Sequence, residues 1–324
     1  MDFRTPVKLL DPDVKIDLSD PILTIGSCFS DSIGSKLDEH KFNTLINPFG
    51  TIYDPLSISR LLNYTIDDQQ PEEDTYVLNE GVFRNLELHS SFRGMEKSEL
   101  QLKIKGNLAT TKYQLASTKW LIITYGTAFV YRYAKSSEFV ANCQKLPGSN
   151  FNKELLSVKQ LIVDFESFYQ QLTEFNPEIK IIVTVSPVRH LRDGISENAV
   201  SKSILRIFCN ELEKTYDSVY YYPSYEIMMD DLRDYRYYKP DMIHPTNQAV
   251  GYIWEHFNKS FFNSNTLDFI KRWNKINSAL KHKPFNPATE KHQQFLRKLL
   301  NDLESLPSSV NVKMEIKRVK DQII

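Results

Sequence analysis

The chain repeats one pattern, in which a short apolar run is followed by apolar residues at helical spacing. Residues 22–25 form such a run, which ends at Gly26, and Phe29, Ile33 and Leu37 then recur every four residues. This pattern predicts a buried strand, a tight turn and an amphipathic helix. The other apolar runs that predict strands are residues 120–126, 180–187 and 218–223.

Amphipathic stretches predict helices between these strands. One apolar face is predicted after the second run, and it consists of Leu155, Val158, Ile162, Phe165, Tyr169 and Leu172. Another follows the third run at Ile204, Phe208 and Leu212. Strands that are apolar on both faces and alternate with helices indicate a mostly parallel sheet between two helix layers, a three-layer α/β/α sandwich. Ligands bind beyond the C-terminal strand ends in such folds.

Two stretches depart from the pattern. Residues from about 65 to 118 begin with an acidic loop and contain no clear strand–helix unit, so we predict an insertion made of a short hairpin and a helix. After residue 262 the chain becomes helical and basic, and the prolines of residues 284–287 divide it. We therefore predict an α/β catalytic domain over residues 1–262 and a basic helical C-terminal extension over residues 263–324.

Charge and hydropathy limit the partners that we expect. The formal net charge is −1, which gives no reason to expect nucleic acid or an anionic membrane as a partner. From Lys271 onward there are 12 Lys and Arg against 5 Asp and Glu, which we interpret as solvated helix faces or a surface that docks on acidic groups. No apolar run is long enough for a membrane helix, and the first residues lack the core of a signal peptide, so we expect a cytoplasmic protein.

The cysteines and the common cofactor motifs narrow the chemistry further. Cys28, Cys143 and Cys209 are an odd number without a CxxC pair, so we expect free thiols and neither a disulfide framework nor a zinc site. The sequence has no phosphate-binding glycine loop and no HExxH motif. We therefore expect no metal and no nucleotide cofactor.

Gly26-Ser27-Cys28 is the first candidate for chemistry, because it lies where the first predicted strand turns into a helix. Backbone N–H groups at a helix start stabilise a nearby anion, so we expect Cys28 to gain the thiolate character that nucleophilic attack requires. The alternative is that Cys28 only fills the core after the strand.

Asp241 and His244 are the second candidate. An Asp three residues before a His, in a turn that Pro245 closes, can hold one imidazole nitrogen and leave the other facing the cleft. The pair follows the fourth predicted strand and immediately precedes a helical pattern. We therefore expect it at the same sheet edge as Cys28.

Five blocks of sequence together resemble a known family. They are TIGSCFSDSIG, NPFGTIYDP, YGTAFVY, VSPVRH and DMIHP, in order between about residues 22 and 257. They are similar to the GSCFA-domain family, which is related to the SGNH or GDSL-like esterases and acyltransferases. The resemblance implies a flavodoxin-like strand order and hydrolysis of a small-molecule or glycan acyl ester without a cofactor. It leaves open an acyltransferase acting on a carbohydrate or another acceptor, and a ligand-binding relative without turnover.

The resemblance also implies roles for residues in the first, second and last blocks. Aligning Gly26-Ser27-Cys28 with the Gly-Asp-Ser of the superfamily makes Cys28 the nucleophile, and a frame shifted by one makes it Ser27. Gly50 and the backbone N–H after Gly26 would bind an oxyanion, and Asp241 with His244 would complete the site.

The third block departs from the superfamily pattern. Related esterases have an oxyanion-binding Asn there, whereas this chain has Gly126-Thr127-Ala128-Phe129. Loss of one such donor costs about 2.7–4 kcal/mol of transition-state stabilisation if nothing replaces it. The Thr127 hydroxyl and the Asn47 amide are the candidate replacements.

Three further polar residues belong to blocks near the predicted sheet edge. Arg189 is a candidate for holding a substrate carboxylate or phosphate, with an ion pair that shapes the loop as the alternative. His190 is an alternative base, although His244 has the partner that Asp241 supplies. Asn142 either contacts substrate or organises a turn.

Overall fold

Strands and helices alternate through most of the chain in the computed structural model, which describes residues 5–324. The strands are β1 (Ile22–Gly26), β2 (Thr44–Ile46), β3 (Tyr76–Asn79), β4 (Val82–Asn85), β5 (Arg93–Gly94), β6 (Trp120–Tyr125), β7 (Phe129–Tyr133), β8 (Phe139–Val140), β9 (Phe151–Leu155), β10 (Lys180–Val185) and β11 (Val219–Tyr221).

The helices are α1 (Cys28–Glu39), α2 (Pro55–Asp67), α3 (Lys97–Ser117), α4 (Val158–Phe175), α5 (Ile195–Thr215), α6 (Ser224–Glu226), α7 (Asn247–Phe261), α8 (Ser264–Leu280), α9 (Glu290–Glu304) and α10 (Lys313–Lys320). Shorter turns of 3₁₀ or π helix lie at Glu73–Thr75, Gly148–Asn150, Ile227–Asp231 and Tyr235–Tyr237.

Five parallel strands form the central sheet in the order β11–β10–β6–β1–β2. Numbered by their sequence within this sheet and read from the other edge, the order is 2-1-3-4-5, the flavodoxin-like arrangement. The register aligns the strands closely, with Ile22 opposite Trp120 and Gly26 opposite Thr124. The predicted parallel α/β architecture is confirmed. Strand β2 was not predicted, because its three residues are only half-buried and form no long apolar run.

Helices cover both faces of the sheet, so the fold is a three-layer sandwich. On β6, Leu121 and Ile123 pack against the buried sides of α2, α3, α4 and α5. Trp120 and Ile122 point to the other face and join a cluster with residues of α1, α7 and the three C-terminal helices. Because helices cover both faces of β6, its side chains are apolar at consecutive positions. This is why the sequence shows β6 as a continuous apolar run.

The region predicted as an insertion does contain a hairpin followed by a helix. Strands β3, β4 and β5 form a small antiparallel sheet, and α3 follows it. The buried residues Leu100, Ile104 and Leu108 of α3 belong to the same core as α2 and α4. Helix α3 is therefore part of one helix layer, and the small sheet is the portion that lies outside the sandwich pattern.

A second small sheet, in the order β8–β7–β9, lies between β6 and α4 and was not predicted. It corrects the expected start of the next helix, since Leu155 ends β9 and α4 begins at Val158. Ser157 and Gln160 form a capping box that fixes this start.

The C-terminal helices pack against the end of α1. Trp273 Nε1 donates to the Glu39 carbonyl over 2.7 Å, and the His40 Nε2 and Asn274 Oδ1 atoms are 3.0 Å apart. Lys41 forms an ion pair with Glu315 of α10. These three helices therefore extend the α1 and α7 layer. None of the helices between residues 5 and 324 has both the length and the apolar character needed to cross a bilayer.

Candidate functional site

The turn between β1 and α1 has a backbone that only glycine fits well. Gly26 has φ +137°, and a Cβ atom at this position would lie 2.2 Å from the Thr124 carbonyl oxygen of β6. The Gly26 carbonyl accepts from Ile52 N–H at 2.9 Å. These constraints make a sharp turn and set Cys28 as the first residue of α1.

Ser27 is the N-cap of α1, and its hydroxyl donates one hydrogen bond and accepts another. Ser27 Oγ accepts from Phe29 N–H at 3.3 Å and donates to Ser186 Oγ at 2.9 Å. The residue is 1% exposed. Its hydroxyl therefore caps the helix and connects the ends of β1 and β10.

Cys28 is half-buried and has a thiol that is harder to ionise than expected from its helix position. Burial raises the pKa of the Cys28 thiol, the Asp31 carboxylate raises it further, and Lys202 and Lys239 oppose the shift. The predicted gain of thiolate character is therefore wrong, because burial and Asp31 outweigh the favourable helix start. The backbone N–H of Cys28, at the first residue of the helix, also interacts with its own sulfur and lowers the pKa of the thiol in opposition to burial.

Asp241 and His244 form the pair that their spacing predicted. Asp241 Oδ1 accepts from the N–H groups of Ile243 at 2.9 Å and His244 at 3.0 Å, and its Oδ2 lies 2.8 Å from His244 Nδ1. Hydrogen bonds from these backbone groups and from the ring lower the pKa of Asp241 to about 2.

An ionised carboxylate carries no proton, so His244 Nδ1 must be the donor in its bond to Asp241. The lone pair of neutral His244 is then on Nε2. No partner in the described part of the chain occupies Nε2. The arrangement leaves one ring nitrogen free to accept a proton.

Cys28 and His244 are 216 positions apart in sequence and line the same cavity. Its volume is about 320 Å³. The cavity lies beyond the C-terminal ends of β1, β6 and β10, as expected for a ligand site in a parallel sheet. One wall is formed by Phe129, Val130, Tyr131, Val140 and Lys153 of the β7–β9 sheet. The fold therefore brings the two ends of the predicted site to a common space.

A second depression of about 390 Å³ meets the first at Cys28, Val188 and His244. Its other lining residues come from the helices α1 and α7, the turn before α7 and Lys239, and they include Ser32, Ser35, Lys36, Glu39 and Asn247. We call it the α1–α7 groove. Cys28 and His244 thus face two separate spaces.

Family models cover most of the chain. The model of the GSCFA family matches residues 21–257, and the model described as the C-terminal domain of GSCFA domain proteins matches residues 273–324. The chain therefore belongs to the GSCFA family. No curated protein matches it.

Two residues of the second GSCFA block stabilise the turn and do not line the cavity. Asn47 Oδ1 accepts from Gly26 N–H at 2.8 Å, and Asn47 Nδ2 donates to Asp31 Oδ1 at 2.6 Å. Gly50 donates its N–H to the Asn47 carbonyl at 2.8 Å. Neither the Asn47 amide nor the Gly50 N–H is therefore placed as the oxyanion donor that we expected. Gly50 has φ +73°, and a Cβ there would lie 2.4 Å from the His89 Cβ.

The third GSCFA block lines the cavity but has engaged N–H groups. Gly126 and Thr127 both donate to the Tyr53 carbonyl, at 2.7 and 3.1 Å. Thr127 Oγ1 accepts from Phe129 N–H at 3.0 Å and lies 3.1 Å from Ser201 Oγ. The backbone of this block is thus used to hold the loop. The backbone N–H after Gly26, that of Ser27, is also engaged, since it donates to Thr124 O at 3.0 Å.

The fourth GSCFA block brings Arg189 and His190 to the cavity. The Arg189 guanidinium lies 4.0 Å above the Tyr238 ring, and no carboxylate pairs with it in residues 5–324. This stacking shapes the loop together with one backbone hydrogen bond, in which Arg189 N–H donates to Ile243 O at 3.2 Å. Burial, followed by Lys202, lowers the pKa of His190 to about 4, so this ring is neutral and a weak base near pH 7.

Asn142 does not line the cavity. Its Oδ1 accepts from Gln144 N–H at 2.8 Å, and its own N–H donates to Leu86 O at 2.9 Å. These bonds are those of an Asx turn, which was the alternative to substrate contact. Between residues 5 and 324, no group of three His, Cys, Asp or Glu side chains could hold a metal ion.

Lys202 contacts two segments that line the cavity, and it was not predicted from the sequence. It is 1% exposed, and its Nζ donates to Gly126 O at 2.7 Å and Ser186 O at 2.8 Å. Burial lowers the pKa of Lys202 to about 7, and the Cys28 thiol raises it in opposition. A signal existed, because Lys202 falls on the buried side of α5 with Asn198, Leu205 and Cys209.

Proposed function

We propose that this GSCFA family member cleaves acyl esters with Cys28 as nucleophile, His244 as general base and Asp241 as the group that orients the imidazole. One observation carries the proposal: Cys28 and His244 line one cavity while Asp241 holds His244 Nδ1 at 2.8 Å. A nucleophile, a base and a carboxylate that orients the base are the three members of a catalytic triad.

The thiol requires this base. Since burial and Asp31 raise the pKa of Cys28, the sulfur is protonated near neutral pH and a poor nucleophile by itself. His244 Nε2 takes the thiol proton as Sγ attacks the ester carbonyl. The C–O bond of the leaving alcohol then breaks, and His244 returns the proton to that oxygen. Water repeats the sequence on the thioester and releases the acid.

Cys28 is preferred over Ser27 because of what surrounds each side chain. The Ser27 hydroxyl already bonds Phe29 N–H and Ser186 Oγ, and it is almost completely buried. Both residues line the cavity, and Cys28 also lines the α1–α7 groove beside His244. Attack by Ser27 would require the loss of its helix cap.

The backbone N–H of Cys28 supplies the oxyanion donor. It belongs to the first residue of the 12-residue helix α1, whose N-terminus stabilises negative charge. The N–H groups of Gly50, Gly126 and Thr127 have other acceptors, which leaves fewer donors than the related esterases provide. We therefore expect slow turnover of ordinary esters and faster turnover of activated ones.

Placement in the SGNH superfamily belongs to the same proposal. It is supported by the five ordered sequence blocks, by the 2-1-3-4-5 strand order and by the position of the first and last blocks at one sheet edge. The missing Asn of the third block is the point at which this chain departs from that superfamily.

Steady-state hydrolysis of p-nitrophenyl acetate tests the proposed function. We expect Cys28→Ala and His244→Ala each to lower kcat/KM by about 10²–10⁴-fold, which is the usual contribution of general base catalysis. His282→Ala removes an exposed histidine from the C-terminal region and should leave the rate unchanged. Unchanged turnover in a folded His244→Ala variant would exclude this mechanism.

A ligand-binding protein without turnover is the second candidate. It is favoured by the raised pKa of Cys28 and by the engaged N–H groups of the second and third blocks. Alkylation distinguishes the two, since a thiol paired with a base reacts faster than a structural one. Loss of His244 should slow iodoacetamide labelling of Cys28 under the enzymatic proposal and leave it unchanged under this one.

A further inference from the structure

We propose that the acyl group of the substrate carries a carboxylate at its far end, and that Arg189 and Arg192 bind this carboxylate in the cavity. The preferred substrate is then a half-ester of a short dicarboxylic acid. This specificity rests on the proposed function, because it concerns the acyl group that Cys28 receives. It also gives a role to Arg192, which takes no part in the bond-making steps.

Two arginines of one loop line the cavity that also contains Cys28 and His244. Both lie in the loop between β10 and α5. The Arg189 guanidinium lies over the Tyr238 ring, and Arg192 is exposed. Neither forms an ion pair with a carboxylate of residues 5–324. The cavity therefore has two positive charges for which the described part of the chain supplies no counter-ion.

The other charged side chains that line the cavity have partners. Lys153 of β9 forms an ion pair with Asp193. Asp54 is 4% exposed and caps α2, where its Oδ1 accepts from Ser57 N–H at 2.9 Å. Once these groups are set aside, the charge that remains along the cavity is positive. Such a lining favours an anionic ligand.

The loop that carries the arginines is fixed at both ends of the cavity. Arg189 N–H donates at 3.2 Å to the carbonyl of Ile243, the residue before His244. The ion pair of Asp193 with Lys153 joins the other part of the loop to the β7–β9 sheet. The loop thus runs from the proposed base to the small sheet. A group bound by it is held at a defined distance from the reacting atoms.

The shape of the arginine side chain and the apolar wall indicate which anion fits. A planar guanidinium group presents its N–H donors as a fork that matches the two oxygens of a carboxylate. Phe129, Val130 and Val140 give the cavity an apolar wall for methylene groups. A volume of about 320 Å³ is that of a small-molecule site. Methylene groups that separate the ester carbonyl from a terminal carboxylate match both parts of this lining.

Two esters with acyl chains of equal length test the specificity. These are 4-nitrophenyl hydrogen adipate, whose chain ends in a carboxylate, and 4-nitrophenyl hexanoate, whose chain ends in a methyl group. After subtraction of the uncatalysed rates, we expect kcat/KM of the full-length protein to be at least about tenfold higher for adipate. Arg189→Gln and Arg192→Gln should each lower this ratio by about tenfold, since each removes a charged hydrogen-bond donor.

Arg192→Gln is the more informative of the two variants, because Arg189 also stacks on Tyr238 and could be needed for the loop. Arg233→Gln is the matched control. Its side chain is 78% exposed, pairs with Asp230 over 3.5 Å and does not line the cavity. The ratio of the two rates in Arg233→Gln should equal that of the wild type.

A comparison of two acetate esters shows on which side of the ester the charge is recognised. We use 4-acetoxybenzoate and 4-acetoxybenzamide, which move the carboxylate to the leaving group. A preference for 4-acetoxybenzoate without one for adipate overturns the assignment to the acyl group. Hydrolysis of hexanoate and adipate at equal rates, or an unchanged ratio in Arg192→Gln, overturns it as well and leaves the proposed esterase standing. If neither nitrophenyl ester is hydrolysed faster than by His244→Ala, the proposed function has failed and this specificity fails with it.

Discussion

Lys202 Nζ donates a hydrogen bond to the Gly126 carbonyl over 2.7 Å beneath the floor of the candidate site. A second bond from the same nitrogen reaches the Ser186 carbonyl at 2.8 Å, so one lysine of α5 connects the ends of β6 and β10. The same segments carry the third and fourth sequence blocks. A buried amine therefore holds together two loops that line the cavity.

Stability should depend on pH through Lys202. Its pKa is about 7 in the folded protein, below the ordinary value of 10.5 that applies when the chain is unfolded. Between these values the unfolded chain binds the extra proton, so the free energy of unfolding should rise with pH relative to a Lys202→Met variant. Urea denaturation from about pH 6.5 to about pH 9.5 measures this difference.

Lys214→Met provides the control for this measurement, because Lys214 is an exposed lysine of the same helix. Its pH profile should run parallel to that of the wild type. If the pH profile of Lys202→Met is also parallel to that of the wild type, Lys202 stays protonated in the folded protein throughout this range.

Replacing Asp31 should make Cys28 more reactive. The Asp31 carboxylate raises the pKa of the Cys28 thiol, and Asp31→Asn removes that charge while an amide oxygen can still accept from Asn47 Nδ2. The pKa of the thiol should fall, and alkylation near neutral pH should accelerate by up to about tenfold for each pKa unit. The pH dependence of iodoacetamide labelling measures the change, with Asp38→Asn on the exposed side of α1 as control.

Gly26→Ala should destabilise the protein strongly. The added methyl group meets the Thr124 carbonyl at 2.2 Å in a backbone conformation with φ +137°. We expect a loss of more than about 3 kcal/mol in the free energy of unfolding, from strain and the displaced strand.

Gly106→Ala is the matched comparison. Gly106 lies within α3 and has no atom within 4 Å of its added Cβ. This variant should gain about 0.5–1 kcal/mol, because alanine favours the helix. Denaturant titrations measure the free energy of unfolding of both variants. If Gly26→Ala and Gly106→Ala both change it only slightly, β1 does not approach β6 as closely as the structure shows.

Asp241→Asn should reduce turnover while the protein stays folded. The amide oxygen can keep the bonds from Ile243 and His244 N–H, but the amide N–H would face His244 Nδ1 and favour the tautomer with a proton on Nε2. We expect kcat for an activated acetyl ester to fall by about 10²–10⁴-fold. Asp230→Asn, on an exposed carboxylate outside both spaces, should have no effect.

The sequence predicted the parts of the fold that have strong periodicity. β1, β6, β10 and β11 were readable because the sheet is covered on both faces and its strands form apolar runs. β2 and the small sheet β7–β9 are short and partly exposed, so their composition does not separate them from loops. Their pairing depends on contacts that are distant in sequence.

The candidate site was predictable where a motif fixes local geometry. The spacing of Asp241 and His244 predicted their hydrogen bond, and the end of β1 predicted the position of Cys28. Whether the Asn47 amide and the Gly50 N–H are free to bind an oxyanion depends on their hydrogen-bond partners. The spacing of residues in the sequence does not reveal those partners. Lys202 was missed because a lysine in a helix is usually exposed.

The packing of α8 against α1 has a consequence for fragments of this protein. Truncation after residue 262 would remove contacts at the C-terminal end of α1. The Glu39 carbonyl, the His40 ring and the Lys41 amine would each lose a partner in the C-terminal helices. The exposed apolar surface, including the neighbours of Trp273, would then promote aggregation. Loss of activity in such a fragment would therefore not show whether the C-terminal helices contribute to catalysis, because the fragment would also be misfolded. Experiments should keep the C-terminal helices together with the rest of the chain.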